Sequence, residues 1–104
     1  MIREKWYISK KYKNLSMEIL QDNLSALRAR ADITQEELAN ILGISRQTYN
    51  AIECKKKQMS WNVFMSAIFF FHEVKTTSEM LIELKIYPID LILRFNGVRR
   101  TNFD

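Results

Sequence analysis

The chain is poor in residues that cross-link or interrupt a fold: its 104 residues include one cysteine, one histidine, one proline and two glycines. So little glycine and proline argues against a turn-rich β-sandwich and against a disordered or collagen-like chain. Cys54 has no second cysteine to pair with, and with His72 it falls short of the ligand set of a structural zinc site. No metal or other cofactor is expected, and the cysteine usage fits a reducing compartment. Long apolar runs are also missing. The most apolar stretch, Trp61–Phe71, is interrupted by Asn62 and Ser66, whereas a bilayer span needs about 20 apolar residues. Residues 1–13 carry Arg3, Lys5, Lys10, Lys11 and Lys13 with no apolar segment behind them, unlike a secretory leader. The expected location is the cytoplasm, with no membrane partner. No repeat, low-complexity tract or flexible linker appears, so one domain is expected.

Charge is unevenly placed. Residues 1–13 hold five basic and one acidic side chain, 14–53 three and six, and 54–75 four and one, while 76–104 balance. Two basic blocks flank an acidic one. This suits a polyanion touched by particular segments, although a basic tail and a solvated lysine run would give the same pattern.

Helical spacing dominates the rest. Ser16 as N-cap followed by Leu20, Leu24, Leu27 and Ala31 at intervals of three and four predicts a first helix. Thr34-Gln-Glu-Glu37 is a capping box opening a second short helix, with Leu38, Ala39, Ile41 and Leu42 inward and Gly43 at its end. Ser45 caps a third helix, Arg46 to about Glu53, with Tyr49 and Ile52 inward and a polar outer face of Arg46, Gln47, Thr48, Asn50 and Ala51. Lys55-Lys56-Lys57-Gln58 forms a loop. Ser60 caps an apolar fourth helix through Trp61, Phe64, Met65, Ile68, Phe69 and Phe71. A second capping box, Thr76-x-x-Glu79, opens a fifth helix with Met80, Leu81 and Leu84 inward. The segment Pro88–Phe95 is a short helix, or, with Leu91, Leu93 and Phe95 alternating before Asn96-Gly97, one strand of a hairpin. Three consecutive aromatics, Phe69-Phe70-Phe71, point around most of a helix, so at least one faces outward. His72 has no carboxylate or thiol cluster to join and is a packed or rim residue.

A short helix, a glycine turn and a second short helix with a polar outer face describe a helix-turn-helix, which lays its second helix in the DNA major groove. The stretch Ile33-Thr-Gln-Glu-Glu-Leu-Ala-Asn-Ile-Leu-Gly-Ile-Ser-Arg-Gln-Thr-Tyr-Asn-Ala-Ile-Glu53 closely resembles the Cro/repressor-type (XRE) family. Over about Leu20 to Leu84, the resemblance implies an all-α, five-helix Cro/repressor-like (lambda-repressor-like) domain, followed here by a short additional C-terminal helix. The expected organisation is a basic extension at 1–15, the helix-turn-helix domain at 16–86 and a C-terminal extension at 87–104.

The implied function is sequence-specific binding of double-stranded DNA by a transcriptional regulator, a repressor rather than an activator. Such domains work as homodimers on two half-sites. Arg46 and Gln47 are expected to read bases, an Arg fork fitting guanine O6/N7 and a glutamine amide adenine N6/N7. Asn50 and Ala51 face the same groove by family position. Gln35 at the start of the second helix is expected to hold a phosphate, with Ser45 and Thr48 as further phosphate contacts. Lys55, Lys56 and Lys57 stand where the family contacts the DNA backbone. Taken singly, each of these residues would pass for a solvated helix end or loop.

The sequence departs from the family where Cys54-Lys55 replaces the common Asn-Gly, so the third helix lacks its usual positive-φ glycine. Cys54 beside three lysines is either an inert rim residue or a redox-sensitive thiol. Residues 1–13 are either a DNA-touching arm or an unstructured tail. The competing reading is a protein-interaction module, antitoxin-like or adaptor-like, that keeps the fold but binds a polypeptide through the aromatics of the fourth helix. No nucleophile–base pair, metal-ligand set or small-molecule site supports an enzyme.

Overall fold

The structure is a computed structural model that describes residues 1–97; residues 98–104, part of the expected C-terminal extension, lie outside the described residues. The described residues form six α-helices and one 3-10 turn: the turn at Glu4–Trp6, then α1 Lys10–Ala31, α2 Gln35–Leu42, α3 Arg46–Glu53, α4 Trp61–Glu73, α5 Lys75–Glu83 and α6 Ile89–Phe95.

Helix α1 begins earlier than the expected cap at Ser16. Ser9 is the N-cap, its hydroxyl accepting the Tyr12 N–H at 3.1 Å. Ser16 lies inside the helix, 5% exposed, in register with Leu20, Leu24 and Leu27. A small residue on the inward face resembles a cap in sequence, but nothing between Lys10 and Leu15 breaks the helix, so propagation continues back to Ser9.

Local sequence sets the ends of the next two helices. The Thr34 hydroxyl accepts the Glu37 N–H while the Glu37 carboxylate accepts the Thr34 N–H, completing the capping box. After Leu42 the chain turns through Gly43 at φ 76°, with Gly43 N–H bonded to Asn40 O and Ile44 N–H to Ala39 O. This Schellman turn needs a left-handed residue and drops Ile44 onto the core. Ser45 then starts α3, accepting the Thr48 N–H at 3.0 Å.

The end of α3 is built the same way without glycine. Lys55 adopts φ 63°, and the Lys55 and Lys56 N–H groups bond Ile52 O and Ala51 O. The left-handed position that the family fills with glycine is thus occupied by lysine itself, at a cost of about 1–2 kcal/mol.

Helix α4 and helix α5 form a tight pair joined only by Val74. The expected Thr76–Glu79 capping box is not made: α5 starts at Lys75 with no side-chain cap. Thr77 does the joining instead, its buried hydroxyl bonding Phe71 O at 2.7 Å and Val74 O at 3.2 Å. With one connecting residue, the chain enters α5 before Thr76 can occupy a non-helical cap position. The core gathers Leu20, Leu24 and Leu27 of α1, Leu38 and Leu42 of α2, Tyr49 and Ile52 of α3, Phe64 and Phe71 of α4 and Leu81 of α5. Ile41, expected inward, is 49% exposed, because an eight-residue helix packed on one side buries only Leu38, Ala39 and Leu42.

Between the two readings of the tail, the helix is formed. Its start follows Pro88, its Asn96 N–H bonds Ile92 O, and Gly97 at φ 71° lies just beyond it. Helix α6 meets the N-terminal segment, where Trp6 stacks on Phe95 at 5.4 Å between centroids.

Candidate nucleic-acid interface

The outer face of α3 carries the expected base-reading residues in two groups. Arg46 and Gln47 are exposed in the first turn, and Asn50 follows one turn on, also exposed; Ala51 is only half-buried surface. Tyr49 and Ile52 fall on the opposite side and anchor the helix in the core. The spacing that sends Tyr49 and Ile52 inward turns Gln47 and Asn50 outward, while Arg46, three residues before Tyr49, is exposed because it stands at the open first turn of α3.

Below this face lies a polar network that was not singled out from the sequence. Arg28 of α1 meets Glu53, the last residue of α3, with Nε and Nη2 each 3.2 Å from a carboxylate oxygen, and its Nη1 donates to Ile33 O in the α1–α2 connection at 3.2 Å. The pair is largely shielded, with the Arg28 side chain 25% and that of Glu53 9% exposed. Burial alone would raise the Glu53 carboxyl, but hydrogen bonds from Arg28 and Gln35 and the Arg28 charge outweigh it and hold it below its ordinary value. The hydrogen bond to Glu53 likewise raises the Arg28 guanidinium. Gln21 adds a second tie from α1, donating to Ile52 O and Lys57 O at 2.8 Å each. Gln21 and Arg28 lie two turns apart beside the leucine stripe, and Glu53 is the acidic end of the motif. That polar i, i+7 pairing beside an apolar face is the only signal the sequence offered.

The Tyr49 ring is buried within this corner, 1% exposed, and its hydroxyl makes no hydrogen bond of ordinary geometry among the described residues. Burial pushes it up, and the nearby Glu53 charge adds to the shift.

Gln35 starts α2 as expected, but its side-chain amide is already engaged. Nε2 donates to Glu53 Oε2 at 3.0 Å and to Asn50 Oδ1 at 3.2 Å. What this helix start still offers an anion is the backbone N–H of its first turn. Ser45 and Thr48 are bonded to each other, the Ser45 hydroxyl donating to Thr48 Oγ1 at 2.9 Å. In the loop, Lys55 pairs with Asp22 of α1 at 2.6 Å, both exposed, whereas Lys56 and Lys57 are exposed without an ion pair among the described residues. The Cys54 Sγ is exposed and lies 3.7 Å from Asn50 Oδ1.

A separate apolar surface lies on α4 and α6. Phe69 is 70% exposed, the outward member of the aromatic run, and with Met65 and Ile92 it borders an open groove whose floor includes Trp61, Leu91 and Phe95. His72 is stacked on Tyr87 at 4.1 Å, a packed residue.

Comparison with protein families places one match on this region: the helix-turn-helix family model covers residues 24–56, from the middle of α1 through α3 to the lysine loop. No curated protein and no solved structure matches the chain.

Proposed function

Since residues 24–56 match a helix-turn-helix family model and carry a motif that resembles the Cro/repressor (XRE) type, we propose that the chain is a sequence-specific regulator of transcription that binds double-stranded DNA with α3 in the major groove. The observation that carries this reading is the outer face of α3. Arg46 and Gln47 stand exposed on the first turn of a capped helix whose other side is fixed by Tyr49, Ile52 and the Arg28–Glu53 pair. Their side chains have the donor and acceptor groups that match guanine and adenine edges. The backbone N–H groups at the start of α2, with Ser45, Thr48 and the lysine loop, grip phosphates and set the register without reading sequence. Occupying a promoter is enough to block it, whereas activation needs a further contact with polymerase, so repression is the simpler outcome.

One α3 covers a single half-site. A homodimer formed through the apolar face of α4 and α6, with Phe69 at its centre, supplies the second. The two half-sites then lie about 34–36 Å apart, one turn of DNA. The occupant of that face is a second copy because two-fold pairing both covers the exposed Phe69 and completes an operator.

Selection of binding sites from a random duplex pool tests the reading, using the wild type beside Arg46→Ala/Gln47→Ala at about physiological salt. A two-fold symmetric motif that the double variant loses or relaxes supports it. Equal enrichment by both proteins, or none by either, would refute it and favour a polypeptide as the main partner.

A further inference from the structure

We propose that Asn50 is held in one polarity by a hydrogen-bond relay from α1, so that it reads a base acceptor in the major groove, guanine N7 or O6 or thymine O4, and not the donor–acceptor pair of adenine. The inference rests on the DNA-binding reading above and specifies one of its contacts.

The relay starts at Glu53. Its carboxylate is gripped by Arg28 at 3.2 Å and, being ionised, can only accept hydrogen bonds. The Gln35 atom that meets Glu53 Oε2 at 3.0 Å must therefore be the amide nitrogen, which fixes the orientation of the Gln35 side chain. That nitrogen has two hydrogens. One goes to Glu53, and the other faces Asn50 Oδ1 at 3.2 Å. The Cys54 thiol, 3.7 Å away, is a weak second donor to the same oxygen. Both lone pairs of Oδ1 then face donors of this chain, and the group left for the groove is Nδ2, a donor with no partner among the described residues.

An asparagine reads adenine by presenting oxygen to N6 and nitrogen to N7 together. With Oδ1 accepting from both Gln35 and Cys54, Asn50 does so only by giving up one of these two bonds. Arg46, one turn earlier on the same face, is also a pure donor. This stripe of α3 thus presents donors at both positions, matching two acceptor-rich base edges. The Gln35 side chain is a positioning group here, acting on the bases only through Asn50.

The test is site selection with the full chain as wild type, Asn50→Asp and Gln35→Leu. Asn50→Asp keeps an oxygen for Gln35 and replaces the outward donor with an acceptor. The expected result is that one position per half-site switches from guanine or thymine to a base presenting an exocyclic amine, cytosine or adenine, by about tenfold, a typical discrimination for one base contact. The rest of the motif stays as it was. Gln35→Leu frees the Asn50 amide to turn, so the same position additionally accepts adenine. A full motif in which Asn50→Asp shifts no position overturns the relay while leaving DNA binding intact. Failure of the wild type to select any motif removes the DNA-binding reading and the relay together. Hydrogen exchange in the free wild-type protein gives a second readout: the Gln35 Nε2 hydrogens should be protected and the Asn50 Nδ2 hydrogens solvent-fast, and the reverse overturns the proposal.

Discussion

Replacing Glu53 with glutamine removes one charge at the junction of α1, α2 and α3 while keeping the side-chain shape. In the native protein that carboxylate accepts from Arg28 at two atoms, 3.2 Å each, and from Gln35 at 3.0 Å, with only 9% of its side chain exposed. Hydrogen bonds to a charged partner contribute about 1.5–3 kcal/mol, and breaking a fully buried pair costs about 3–5 kcal/mol. Arg28 is a quarter exposed, so water recovers part of its solvation, and the amide still offers it one oxygen. The expected loss is about 2 kcal/mol. For a domain of this size that lowers the melting midpoint by about 8–16 °C.

Thermal and urea unfolding followed by circular dichroism at neutral pH would measure it. Arg28→Met, and both changes together, would complete a double-mutant cycle. The pH dependence gives an independent check. Glu53 has a folded value below its ordinary one of 4.5, so its contribution is fully present above that value and is lost as pH falls through the lower, folded one. The wild type should therefore lose stability on acidification more steeply than Glu53→Gln. A loss under about 0.5 kcal/mol, the range of an ordinary surface substitution, or parallel acid profiles would refute the assignment of this pair as the clamp on α3.

Three further outcomes follow from particular contacts. Ser45→Ala removes the hydroxyl that accepts the Thr48 N–H and should cost about 1 kcal/mol in urea unfolding, as N-caps generally do. Neutralising Lys56 and Lys57, the loop lysines without ion pairs among the described residues, should flatten the salt dependence of DNA binding by about 0.9 per lost phosphate contact, with sequence preference unchanged. Phe69→Asp places a charge on the exposed α4 surface, so helical content should be kept while sedimentation shows monomers and the melting midpoint loses its dependence on protein concentration; an unchanged dimer would put the two-fold contact elsewhere.

Much of the helical layout was legible because its signals are local. The Thr34–Glu37 box, the Gly43 turn and the Ser45 cap each satisfy backbone groups within a few residues, and all three form as the sequence spells them. Where a local signal stood inside a longer helix, it misled. Ser16 read as a cap, but it is interior because the helix continues through it back to Ser9. Thr76 matched a capping box, but Thr77 bonds Phe71 O instead, since the α4–α5 joint leaves one residue between the helices. Ile41 looked apolar enough for the core, yet among the described residues its side of α2 meets no element closely enough to bury it. On the candidate site, outward placement of Gln47 and Asn50 followed from the inward placement of Tyr49 and Ile52, and exposure of Arg46 from its place at the start of α3.

Neighbours along the chain were enough to specify the helical layout up to the fifth helix, the turn between α2 and α3, and which side of α3 is polar, because periodicity and capping are local properties. Tertiary structure decided what those polar residues are free to do. Arg28 and Glu53 lie 25 residues apart and meet only when α1 packs on α3. Gln35 and Asn50 meet only across the α2–α3 turn. The Gln35 amide is thereby committed inward, and Asn50 is left with a donor to offer, because a hydrogen bond between distant residues depends on the packing that brings them within 3.2 Å.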